Sequence, residues 1–264
     1  MIIDFHTHAF PDSLAPRAIA GLVESAGGKY PPCHNGTVDG LKANMQSFGV
    51  DISVVQPVIT KHKQTESLNK WAESINEGNI ISFGGIYPHS DDPKGDIDFV
   101  CSLGLKGLKF HPEYQDFTVD TPEMLKIYDY ALSKGLILLF HAGFDIAYQP
   151  PFRSGPKAFR HIMDELGGGT IVAAHMGGAY EWEQTEELLA GTGIYLDTSM
   201  GFDEYGDEQF MRLVKAIGSS NILFGSDAPW SNAGEEIKRI QALPLTETEK
   251  NDILGDNAKR ILGI

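Results

Sequence analysis

Two histidines, His6 and His8, close an apolar N-terminal run, Met1-Ile2-Ile3-Asp4-Phe5-His6-Thr7-His8. A short apolar run without helical period reads as a buried strand, and residues two apart in a strand face the same way. Both imidazoles therefore project to one side at the strand's C-terminal end, which is half of a metal site. Other short apolar runs end alike, in His141-Ala142-Gly143, His175-Met176-Gly177 and Asp227-Ala228-Pro229. Neutral imidazoles with one carboxylate suit a borderline ion such as zinc, and a position left open to water makes such a site catalytic. A single histidine in an apolar strand is ordinarily a hydrogen-bonded core residue. The repetition at strand ends is what points to a site, and parallel neighbouring strands would bring all these residues to one face.

The elements that must position them read as alternating strands and helices. Strand candidates end near His8, Pro57, Tyr87, His111, His141, His175, Ser199 and Asp227, each followed by a helix candidate. The spacing, roughly 25 to 35 residues, is that of βα units. Eight such units predict an α/β chain closed as a single (β/α)8 TIM barrel over residues 1–264, in preference to an open doubly wound sheet. Helices are expected at 181–190 and 234–242 and as one run over 246–262, the last opened by the capping pattern Thr246-x-x-Glu249. In a barrel, chemistry sits at the C-terminal strand ends, where these polar residues fall.

Composition sets the bounds. A 264-residue chain with 42% hydrophobic and 22% charged residues is ordinary for a globular protein. No apolar run approaches the roughly 18 residues of a membrane span, and no signal peptide is visible. Cys33 and Cys101 form no disulfide framework, so a reduced, cytoplasmic setting is expected. A formal charge of -15 disfavours nucleic acid and anionic membrane surfaces as partners, since both need a basic face. A small-molecule substrate remains, anionic ones included, because charge inside a pocket can oppose the global sign. Assembly as a homo-oligomer is left open.

The chain resembles the amidohydrolase superfamily, in the branch that contains aminocarboxymuconate-semialdehyde decarboxylase. The likeness runs nearly end to end through Asp4-Phe5-His6-Thr7-His8, Gly107-Leu108-Lys109-Phe110-His111-Pro112, Phe140-His141-Ala142-Gly143, Ala174-His175-Met176-Gly177-Gly178 and Phe224-Gly225-Ser226-Asp227-Ala228-Pro229. The resemblance implies one catalytic metal, usually zinc, on His6, His8, His141 and Asp227, with His175 as a neighbouring acid/base. Lys109 stands where two-metal members carry a carboxylated lysine bridging both ions. In that case a second metal would use Lys109, His175 and His141. The other reading of Lys109 is an inward lysine paired with Asp227 or with a substrate carboxylate, since a buried lysine must find a partner or lose its charge.

Arg153, on the long loop after His141, could clamp a substrate carboxylate by a bidentate contact. Trp230 and His111 are expected to line the pocket. Together these residues predict a metal-dependent hydrolase acting on a C–N, C–O or lactone bond, with Asp227 taking a proton from water. The alternatives are a zinc-dependent non-oxidative decarboxylase of an unsaturated or aromatic acid, and a non-catalytic metal- or ligand-binding barrel.

Overall fold

Eight apolar segments pair in parallel: β1 (Ile3–Thr7), β2 (Ile52–Val55), β3 (Ile80–Ser82), β4 (Gly107–Phe110), β5 (Ile137–Phe140), β6 (Ile171–Ala173), β7 (Tyr195–Asp197) and β8 (Ile222–Leu223). The structure is a computed structural model and describes residues 1–264. Continuous ladders run β1-β2-β3 and β4-β5-β6-β7-β8. The two sheets meet at both edges. The Gly84 N–H donates to the Gly107 carbonyl at 2.8 Å and the Lys109 N–H to the Gly84 carbonyl at 3.0 Å. At the other seam the Phe5 N–H donates to the Phe224 carbonyl at 2.8 Å and the Asp227 N–H to the His6 carbonyl at 2.7 Å. The fold is the expected (β/α)8 barrel.

An apolar cluster including Ile3, Phe5, Val54, Ile137, Leu139, Val172 and Leu223 draws on strands from all round the barrel and so fills its interior. Lys109 is in register with Leu139 of this cluster, and partners in a parallel ladder share a face. That register carries the lysine inward. A second, larger cluster, with Leu108, Phe110, Leu138 and Phe140, takes the alternate residues of the same strands, together with helix residues such as Tyr128, Phe159 and Leu213.

Several elements differ from the sequence reading. β6 stops at Ala173 and β8 at Leu223, short of His175 and Asp227, whose backbones turn left-handed with φ of 55° and 62°. A left-handed residue cannot continue a strand. The helix expected at 181–190 spans Trp182–Leu188, and Pro112–Gln115 forms an additional short helix. The terminal run is helical but carries a wide π turn at Asp252–Asp256, where Gly255 packs on the Met1 carbonyl so closely that a Cβ would lie 2.2 Å from the oxygen. No helix is long and apolar enough to cross a membrane.

Candidate metal centre

His6 and His8 leave β1 with each ring fixed at one nitrogen. His6 Nδ1 lies 2.8 Å from Asp197 Oδ2, and the His8 Nδ1–H donates to the Gln56 carbonyl at 3.0 Å. Such bonds set the tautomer that leaves a lone pair on both Nε2 atoms. Asp227 Oδ1 lies 2.9 Å from His8 Nε2 and 3.4 Å from His6 Nε2, yet this buried oxygen makes no hydrogen bond. Three donor atoms thus converge without bonding one another, the arrangement expected of ligands around a cation. The residues fit a divalent ion held by His6, His8 and Asp227.

The backbone that delivers Asp227 is strained. A left-handed non-glycine residue costs on the order of 1 kcal/mol or more, a cost found where geometry serves a site. Gly225 is required nearby, because a Cβ there would stand 2.8 Å from that of His6. Asp4 ties the two segments together by accepting from the Ser226 N–H at 2.9 Å and the Ser226 hydroxyl at 2.6 Å. Burial pushes its carboxyl up to about 7 against those bonds.

Charge in the site is arranged around buried groups. Burial, and then the neighbouring Lys109 charge, hold the His6 imidazole down at about 4, so it is neutral at pH 7 and able to ligate. For Asp227 burial acts upward, but the pull of His6 and His8 outweighs it and the carboxyl stays well below the usual range. Asp197 is held low in the same way, against burial, chiefly by His6. Lys109, 1% exposed, places Nζ 3.0 Å from His6 Nε2, and burial lowers its ammonium to about 8.

His175 and His141 form a chain rather than joining that trio. His175 Nδ1 lies 3.2 Å from the Ser199 carbonyl and 2.9 Å from its hydroxyl, and His175 Nε2 lies 3.0 Å from His141 Nδ1. With protons on both Nδ1 atoms, donating in turn to Ser199 and to His175, His141 Nε2 keeps a lone pair. That atom is buried and has no partner. His141 gathers instead with His111 and Asp145.

His6, His8, Lys109, His141, His175 and Asp227 face one cavity of about 880 Å³, which Trp230, Tyr114 and the helix Ala15–Ser25 also line. Arg153 is elsewhere. Its guanidinium pairs with exposed Asp116 in a separate pocket, so the expected clamp inside the cavity is not formed. Sequence reasoning passed over Asp197, Ser199, Gln56 and Asp145. The first two sit at the end of β7, in the same place as the histidines of β1, β5 and β6, and that position was the available signal.

The family profile described as Amidohydrolase matches residues 3–264, and the chain belongs to that family. No curated protein matches the sequence. Among solved structures the chain is similar to the 5-carboxyvanillate decarboxylase LigW of Sphingomonas paucimobilis, at 17% identity and TM-score 0.71, covering 100% of this chain and 99% of that one. It is similar to the 2,6-dihydroxybenzoate decarboxylase of Rhizobium, at 13% identity and TM-score 0.70, covering 99% and 98%. It is also similar to a protein of Acinetobacter baumannii described as a probable 2-pyrone-4,6-dicarboxylic acid hydrolase, at 15% identity and TM-score 0.66, covering 100% and 99%. At these identities the likeness is one of fold.

Proposed function

We propose that the protein is a metal-dependent hydrolase that opens a C–N, C–O or lactone bond in a small carboxylated substrate. The observation that carries this reading is the unbonded Asp227 Oδ1 set between His8 Nε2 and His6 Nε2. His6, His8 and Asp227 would hold a divalent ion there, with zinc the preferred candidate. When bound, it supplies Lewis-acid polarisation of a substrate oxygen and makes a water molecule a stronger acid.

The chain's own groups do the rest. Asp227 accepts the proton from the attacking water and returns it to the leaving group. His175, held by Ser199, stabilises the charge that develops, or shares the proton. Lys109, buried beside His6, neutralises a substrate carboxylate; were its amine carboxylated, it would instead offer a ligand for a second ion. The apolar wall of the cavity excludes water from the rest of the substrate.

Fold likeness to two decarboxylases favours a second reading, loss of carbon dioxide from an aromatic acid at the same ligands. The test of metal dependence is common to both. Turnover of a panel of small carboxylated lactones, amides and aromatic acids is measured before chelation, after it, and after adding back zinc, manganese or cobalt. Loss and recovery are expected. Turnover untouched by chelation that strips the protein of metal would overturn the proposal.

A further inference from the structure

We infer that the helix Ala15–Ser25 is the specificity wall of the cavity, and that Gly21 leaves room in it for an apolar chain or ring carried by the substrate. The inference deepens the proposed function, on which it rests for placing the substrate's carboxylate at the polar floor. Ala18, Gly21, Leu22 and Ser25 line the cavity. They fall at i, i+3, i+4 and i+7, so one stripe of the helix faces that space. Ala15 alone of the helix's residues is buried, whereas the helix Pro122–Ser133 buries Met124, Ile127, Tyr128 and Ala131. The stripe therefore meets the cavity instead of the core.

Nothing in the fold requires glycine at position 21. Glycine is the least favourable residue of a helix interior after proline. Here its backbone is not left-handed, and a Cβ on it would meet nothing within 4 Å. The missing side chain is cavity space. Leu68 and Trp71 of the helix Thr65–Ile75 line the same cavity, and β1 and β2, which the two helices follow, are neighbours. The apolar surface thus continues from one helix to the next. Arg17, Lys61 and Lys63 also line the cavity but are exposed, which confines these cations to its mouth.

The wall is held at both ends. Before the helix the Phe10 N–H donates to the Gly36 carbonyl at 2.8 Å. Beyond it Lys29 Nζ lies 2.7 Å from Glu204 Oε1, which also accepts from the Tyr30 hydroxyl at 3.0 Å. A tethered wall selects by shape, where a frayed one would yield. The cavity, at about 880 Å³, stands at the upper end of the roughly 300–1,000 Å³ of ligand pockets. It holds more than the reacting carboxyl end of a substrate, and the stripe makes the remainder apolar.

The test is binding of straight-chain alkanoates, from butanoate to octanoate, to the protein as purified and to Gly21→Leu, measured by isothermal titration calorimetry. Wild-type affinity should rise about fourfold with each methylene added, the scale of burying one. Gly21→Leu should leave butanoate within about twofold and weaken octanoate about tenfold, because the new side chain takes the space of the tail. Its Tm should not fall, since leucine is the better helix former. Should Gly21→Leu fail to fold, Leu22→Ala carries the same reading by trimming the wall, and should cost octanoate about threefold or more while sparing butanoate. Alkanoates that fail to bind, a wild-type affinity flat in chain length, or variants that weaken butanoate and octanoate equally or not at all would overturn the inference. The slope with chain length does not depend on the reaction. That slope in a protein whose turnover survives chelation keeps the wall and defeats the proposed function, and a flat slope with turnover lost on chelation does the reverse.

Discussion

The Asp197 carboxylate, at the end of β7, lies 2.8 Å from His6 Nδ1 and so aims His6 Nε2 at Asp227 from the far side of the ring. Asp197 also accepts from the His175 and Ser199 N–H groups, both at 3.1 Å, which joins two histidines of the site through one side chain. Replacing it with Asn should weaken metal retention about 10- to 100-fold, the range seen when a ligand's outer partner is lost. Competition against a graded chelator measures this. Unchanged affinity would show that Asp197 does not position His6.

Asp227 is the proton acceptor in this account. Because Asp227 is also a metal-holding residue, Asp227→Asn should lower turnover by more than the roughly 10²- to 10⁴-fold of a lost general base, to a level no longer detected, while the barrel stays folded. Steady-state kinetics with circular dichroism check it, and near-wild-type turnover would remove the residue from the mechanism.

Gly225 stands where a side chain would press on His6. Gly225→Ala should cost about 1–3 kcal/mol through overpacking and displace the His6 ring. Urea denaturation gives the first effect, and metal affinity the second.

Glu236 is a buried acid that does not line the cavity, and its Oε2 has no hydrogen-bond partner. Burial raises its carboxyl from 4.5 to about 8, partly offset by Arg239. The folded chain holds this proton more tightly than the unfolded chain, so stability is full below about pH 4.5 and falls as pH rises towards 8. Glu236→Gln should flatten that slope, stabilising the protein at pH 8.5 by a few kcal/mol and leaving it nearly unchanged at pH 4.5. Chemical denaturation at the two pH values is the measurement.

Arg153 pairs with Asp116 on the surface, outside the cavity. Its replacement by Ala should leave turnover within about twofold and stability within about 0.5 kcal/mol, the usual scale for exposed ion pairs.

The barrel was legible because its signal is repeated. Each strand is a short apolar run, and polar residues recur at the ends that share one face. His6, His8 and Asp227 were readable from that pattern. The grouping of His141 was not, because it depends on Asp145, which a glycine turn and one backbone bond swing back towards β4. Arg153 illustrates the converse, since a loop of that length fixes no direction for its side chains. Asp197 was hidden for a third reason: it serves by holding a ligand, and residue type alone does not distinguish that from an ordinary strand-end carboxylate.

The central claim is hydrolysis at the His6–His8–Asp227 centre, and product analysis in ¹⁸O-labelled water tests it most directly. Turnover of a carboxylated substrate should place one ¹⁸O in the product and release no carbon dioxide, and both the label and the turnover should vanish in Asp227→Asn. Carbon dioxide released in step with turnover, from a product free of ¹⁸O, would contradict hydrolysis and make the protein a decarboxylase.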